Sequence, residues 1–82
     1  MQVAVLIPCY NEAVTIARVV ENMARVLPEA QIWVFDNNSS DDTARIAAAA
    51  GARVRHVTLQ GKGHVVRRQF ADVEADVYIM VD

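Results

Sequence analysis

Ten Asp and Glu against eight Lys and Arg give these 82 residues a net charge of −2, which leaves no basic footprint for nucleic acid. With 54% hydrophobic and 22% charged positions, the composition excludes a disordered chain. The length allows one domain at most, and a chain this short buries only about 60% of its unfolded surface, so a parallel α/β sheet of this size is marginal alone.

Val3-Ala4-Val5-Leu6-Ile7 is a continuous apolar run closed by Pro8. A short, β-branched run suits a strand buried on both faces, and Pro8, which has no amide hydrogen, belongs at its end. The run is far short of the roughly 20 residues a membrane span needs, and it lacks the basic lead-in and cleavage site of a signal peptide. Cys9-Tyr10-Asn11-Glu12 reads as a loop. Cys9 is the single cysteine, so no internal disulfide forms, which fits a reducing compartment. Ile16, Val19, Val20, Met23 and Leu27 then recur at helical spacing and predict an amphipathic helix with Asn11 as its cap, Glu12 in its first turn, Arg25 in its last and Pro28 as its stop.

Ile32 to Phe35 predicts a second buried strand that stops at Asp36. Ser39 and Asp42 have the spacing of a capping box for an alanine-rich helix over 45–50, with Gly51 as the residue after its C-cap. Residues 54–59 predict a third strand, whose polar Arg-Val-Arg-His stretch suggests a position nearer a sheet edge. Gly61-Lys62-Gly63 opens a third helical pattern carrying Val66, Phe70 and Val73, and residues 76–82 form a fourth apolar strand closed by Asp82. The alternation β-α-β-α-β-α-β predicts a Rossmann-like open parallel sheet with helices on both faces. Right-handed crossovers then gather Pro8-Cys9-Tyr10, Asp36-Asn37-Asn38, Gln60-Gly61-Lys62 and Asp82 along one rim, where ligands bind in such sheets. The sequence ends at the top of a strand, which predicts that it is the N-terminal part of something longer.

Several of these rim residues suit a nucleotide. Asp36 offers two acceptor oxygens to a nucleobase edge or a ribose, or else starts an Asx turn. Tyr10 could stack on a base or be a half-buried loop aromatic. Lys62, between two glycines at a helix start, could meet a phosphate or belong to a flexible turn. Asp82 could hold Mg²⁺ or Mn²⁺ among phosphate oxygens or be a solvated strand end. Cys9 reads as a buried filler, His56 and His64 as surface or structural residues without metal-ligand spacing, and Trp33 as core. Neither a P-loop nor a GxGxxG fingerprint is present, and no paired general acid and base can be named.

The motifs Ile7-Pro8-Cys9-Tyr10-Asn11-Glu12, Asp36-Asn37-Asn38-Ser39-Ser40-Asp41-Asp42-Thr43, Gly61-Lys62-Gly63 with Arg67, and Tyr78-Ile79-Met80-Val81-Asp82 resemble, in order and spacing, those of family 2 glycosyltransferases, the inverting enzymes of the GT-A fold. The likeness is greatest to the dolichol-phosphate mannosyltransferase, or polyprenyl-phosphate hexosyltransferase, branch. The resemblance implies that Pro8 and Tyr10 line the base pocket of a sugar nucleotide, Glu12 sits near the base or ribose, and Asp36 bonds the base edge. Lys62 would lie beside the base and phosphates, and Asp82 would be the first aspartate of a DxD motif, near ribose and metal. Residues 1–82 would then be the nucleotide-sugar-binding part of an enzyme that transfers a hexose, with inversion, from a UDP- or GDP-linked donor. The acceptor would be a polyprenyl phosphate or a glycan, the cofactor Mg²⁺ or Mn²⁺, and the location the cytoplasm or the cytosolic face of a membrane reached through parts outside this chain. Two positions depart from the family pattern: Asp42 and Gln69 stand where glycine is common. The second DxD aspartate, the acceptor site and the catalytic base are expected beyond Asp82, so no catalytic residue is assigned and this stretch alone is expected to be inactive. The alternatives are a non-catalytic nucleotide-binding or interaction module, and another α/β class such as a flavodoxin-like or receiver domain. A receiver expects paired acids after the first strand, where only Glu12 stands.

Overall fold

A computed structural model describes residues 1–57 and 73–81. It contains strands β1 (Val3–Cys9), β2 (Gln31–Asp36), β3 (Arg53–His56) and β4 (Val77–Met80) and helices α1 (Ile16–Val26) and α2 (Thr43–Ala49). The strands pair in the order β3-β2-β1-β4, all parallel. The order runs one way from β1 to β3 and then returns to the other side of β1 for β4. Such a reversal opens a crevice at the carboxyl ends of the strands. In register, Cys9 lies opposite Asp36, and Asp36 opposite His56, so three strand ends meet in one row.

Strand alternation sorts the apolar residues into two layers. Val5, Ile7, Cys9, Ile32 and Val34 face α1 and α2, where Ile16, Val20 and Ala47 cover them. Ala4, Leu6, Trp33 and Phe35 face the other way, against Val57 and Val73. Leu6, Val34 and Phe35 have no solvent exposure, and burial of each such side chain contributes about 1.5–3 kcal/mol. The helix expected to cover this second face falls mostly within 58–72, outside the described residues. Both described helices therefore lie on one face.

The helix of Ile16, Val19, Val20, Met23 and Leu27 forms as its periodicity predicts. Its start differs. Asn11 does not cap it; Thr15 is the N-cap, and the Glu12 carbonyl accepts the amides of Thr15 and Ile16 at 3.1 and 2.9 Å. Asn11 instead adopts a left-handed turn, φ 50°, a conformation Asn tolerates because its short side chain bonds locally. The expected capping box of Ser39 and Asp42 is likewise not formed. Asp42 is the N-cap of α2 without a side-chain cap bond, and Asp41 Oδ1 accepts the Thr43 amide at 3.0 Å. Gly51 does follow the C-cap of α2, at φ 108°, where an L side chain would be strained.

Pro8 sits inside β1 rather than just past it. Alternate residues of a parallel strand present their backbone groups to opposite neighbours, and the Leu6 carbonyl accepts the Val81 amide. Pro8 therefore faces the β4 side, beyond the paired stretch Val3–Leu6, and its missing amide leaves the β1–β2 ladder intact. β3 is an edge strand among the described residues, as its polarity suggests. Its arginines lie over Trp33, with guanidinium carbons 5.5 Å (Arg53) and 4.8 Å (Arg55) from the ring centroid. This cation–π contact admits two charged residues to a strand that a purely apolar pattern would reject.

Candidate functional site

The β1–α1 and β2–α2 loops emerge side by side from adjacent strand ends. The Cys9 carbonyl accepts the Asn37 amide at 3.0 Å, and the Asp36 carbonyl accepts the Val57 amide at 2.9 Å, so the ladder continues past the strands into the rim. Beyond it, side chains of the second loop satisfy the backbone of the first. The amide of Asn11 donates to Ser39 Oγ at 2.9 Å, that of Glu12 to Thr43 Oγ1 at 2.9 Å, and that of Ala13 to Asp41 Oδ2 at 3.2 Å. In return Asn11 Oδ1 accepts the Ser40 amide at 2.7 Å. Three consecutive amides are thus held by three alternate residues, 39, 41 and 43.

Both hydroxyls pass the bond on to a carboxylate. Ser39 Oγ donates to Asp36 Oδ1, and Thr43 Oγ1 to Asp41 Oδ1. A hydroxyl suits this relay because it has one donor and two acceptor lone pairs. The Asp41 carboxyl is held below its ordinary 3.8, chiefly by the Thr43 hydroxyl, with the Thr43 and Ala13 amides assisting against desolvation. Asp36 is only 4% exposed, with its Oδ2 3.6 Å from Nδ1 of the exposed His56. That distance admits an ion pair with a protonated imidazole but is too long for a hydrogen bond. Beneath the rim, burial pushes the Cys9 thiol up to about 12, with the charges of Asp36, Glu12 and Asp41 adding to the effect. Cys9 is therefore a buried filler and not a nucleophile.

Of the residues singled out from sequence, Pro8, Tyr10, Glu12 and Asp36 come together here. Pro8 is half-buried on β1, Tyr10 projects from the loop at 60% exposure, Glu12 is exposed, and Asp36 lies at the end of β2. Lys62 and Asp82 lie outside the described residues. Sequence reasoning missed the bracing roles of Asn11, Ser39, Asp41 and Thr43. The alternation of hydroxyl and carboxylate at 39, 41 and 43 was the available signal. It also missed His56 beside Asp36, which follows only from the strand register. Among the described residues, no group of three His, Cys, Asp or Glu is arranged to hold a metal ion. A cavity of about 560 Å³ lined by Gln2, Glu74, Ala75, Asp76 and Tyr78 lies at the opposite edge, because its residues precede or begin β1 and β4.

A parallel sheet with this strand order, its loops braced at the carboxyl edge, defines an open α/β class, and residues 4–82 match the profile described as Glycosyl transferase family 2. The chain belongs to that family. It is 58% identical over 80 residues to Protein RfbJ of Shigella flexneri, covering 98% of this chain and 62% of that protein. It is 40% identical over 81 residues to Glycosyltransferase AglJ of Haloferax volcanii, covering 98% of this chain and 26% of AglJ. Among solved structures, glucosyl-3-phosphoglycerate synthase of Mycobacterium tuberculosis, in complex with Mn²⁺, UDP and phosphoglyceric acid, superposes with a TM-score of 0.84 at 31% identity over 99% of this chain and 33% of that one. The same synthase is also known with Mg²⁺ and UDP. The chain thus spans less than two thirds of the length of these relatives.

Proposed function

We propose that residues 1–82 form the nucleotide-sugar-binding part of a glycosyltransferase that moves a hexose from a UDP- or GDP-linked donor to an acceptor, with inversion. The observation that carries this reading is the bracing of the Tyr10–Glu12 loop onto Asp36 at the carboxyl edge of the sheet, in a chain of this family. UDP is the favoured nucleotide, because it is the one bound by the mycobacterial synthase. Tyr10, exposed on the rim, stacks on the base, Pro8 lines the pocket, and Asp36 accepts a hydrogen bond from the base edge. Glu12 lies near base or ribose, Lys62 beside the phosphates, and Asp82 is the first aspartate of the DxD motif.

In the reaction an acceptor oxygen attacks the anomeric carbon opposite the diphosphate. A new carbon–oxygen bond forms and the bond to the diphosphate oxygen breaks; a phosphate acceptor attacks through an oxygen that is already anionic and gives up no proton, whereas a hydroxyl acceptor would pass its proton to a base. Mg²⁺ or Mn²⁺ supplies charge neutralisation of the leaving diphosphate. The ion is assigned to Asp82 and the phosphate oxygens, since one carboxylate among phosphates is the usual way such an ion is held. The acceptor proposed is a polyprenyl phosphate, as in the dolichol-phosphate mannosyltransferase branch. The location that follows is the cytoplasm, or the cytosolic face of a membrane. None of the described helices is long and apolar enough to cross a membrane.

Calorimetric titration of the full-length protein with UDP and GDP, each with and without Mn²⁺, tests the reading. Binding of one nucleotide that tightens with Mn²⁺ is expected. Metal-independent binding removes the metal role of Asp82, and absence of binding to either nucleotide overturns the reading as a whole.

A further inference from the structure

We propose that Ser39 is the positioning residue of the nucleotide site: its one hydroxyl holds the Asp36 carboxylate and the Tyr10–Glu12 loop in a fixed relation. This rests on the nucleotide-site reading above and goes beyond it, since Ser39 touches no ligand in that scheme. The hydroxyl donates to Asp36 Oδ1 and accepts the Asn11 amide at 2.9 Å. Its donor is consumed by Asp36, so Oδ1 is occupied and the carboxylate is turned with Oδ2 toward His56 at 3.6 Å. Oδ2 is then the oxygen left to accept from a base. The other arm fixes the backbone at Asn11, between the exposed side chains of Tyr10 and Glu12. Asn11 is already committed to its left-handed turn, φ 50°, so a bond at its amide sets the direction in which the loop leaves the sheet.

The companion relay through Thr43 provides a contrast. It joins the Glu12 amide to Asp41, an exposed carboxylate off the strand end. Thr43 is itself fully buried at the start of α2. Its loss loosens packing, whereas loss of the Ser39 hydroxyl changes the two groups that meet the nucleotide. Pre-organisation of this kind is read in affinity, because an unbraced loop must be ordered when the ligand binds.

The test is calorimetric titration of whichever of UDP or GDP the full-length protein binds, into wild type, Ser39→Ala, Ser39→Thr, Asp36→Asn and the Ser39→Ala/Asp36→Asn double variant, with a thermal midpoint for each. Ser39→Ala is expected to raise Kd about tenfold, the scale of one lost hydrogen bond to a charged group. Ser39→Thr, which keeps the hydroxyl, restores most of the affinity. In the Asp36→Asn background Ser39→Ala costs less than it does in wild type, because the bond to a charged carboxylate is already gone and only the loop arm at Asn11 remains to be lost. A lowered midpoint with unchanged Kd for Ser39→Ala, failure of Ser39→Thr to rescue, or full additivity in the double variant overturns the proposal. If wild type binds and Asp36→Asn weakens binding while Ser39→Ala does not, the nucleotide site stands and the role of Ser39 falls. If wild type binds neither nucleotide, both fall.

Discussion

Replacing Thr43 by Val isolates what its hydroxyl does for the rim. Thr43 has no solvent exposure, accepts the Glu12 amide at 2.9 Å and donates to Asp41. Valine keeps the shape and β-branching, so no cavity opens. The Glu12 amide, in a part-buried bond, loses its partner, which costs about 1–3 kcal/mol. The bond to Asp41 adds only a little more, because that carboxylate is exposed and rehydrates when the bond is lost. Burying one more methyl returns about 0.8 kcal/mol, leaving a net loss of up to about 2 kcal/mol. Thr43→Ser keeps both bonds and removes one buried methyl, about 0.5–1.5 kcal/mol on the scale of Ile→Val. Urea unfolding of the two variants of the full-length protein, followed by circular dichroism, measures both. Serine is expected to be the milder change. If Thr43→Ser destabilises more than Thr43→Val, the site is held by packing and the relay contributes nothing.

Two further predictions concern titration and reactivity at the same loops. Asp41 is held below its ordinary 3.8, so it stabilises the fold fully above that value, and the contribution is lost as pH falls through the lower folded-state value. Asp41→Asn should therefore flatten the acid limb of the stability curve below about pH 4 and leave its slope near neutrality unchanged; an unaltered acid limb contradicts the Thr43–Asp41 bond. Cys9, buried and pushed up to about 12, stays almost wholly in the unreactive thiol form at pH 8. It should resist a disulfide reagent in the native protein and react at once in urea, and rapid native labelling would show that the rim is open beneath Asp36.

The sequence pattern made the sheet and α1 legible because burial writes a period into the chain: Ile16, Val20 and Met23 on one helix face, Val5 and Leu6 on opposite sides of one strand. Helix starts were not legible in the same way. Asn11 and Ser39 are good local caps by type, yet each is recruited by the neighbouring loop, a contact across 28 positions that local spacing cannot see. β3 was legible as polar and near an edge, but the cation–π contact with Trp33 that lets Arg53 open it depends on strand pairing. Asp36 could be recognised at a strand end, while its burial beside Ser39 and His56 required the register. The family resemblance named the same rim that the topology builds. It assigned no part to residues 39, 41 and 43 in holding the first loop.

The most direct test of the nucleotide site is a titration of UDP into full-length wild type and Asp36→Asn, in the presence of Mn²⁺. Asparagine can still accept the Ser39 hydroxyl through its carbonyl oxygen, so the loop brace survives. Its amide nitrogen replaces the Oδ2 acceptor with a donor, which opposes a base N–H. Affinity is expected to fall by about 1.5–3 kcal/mol, roughly ten- to a hundredfold, with the thermal midpoint little changed. Equal affinity of the two proteins for UDP would remove Asp36 from the base pocket, and with it the claim that this strand end is where the nucleotide is read.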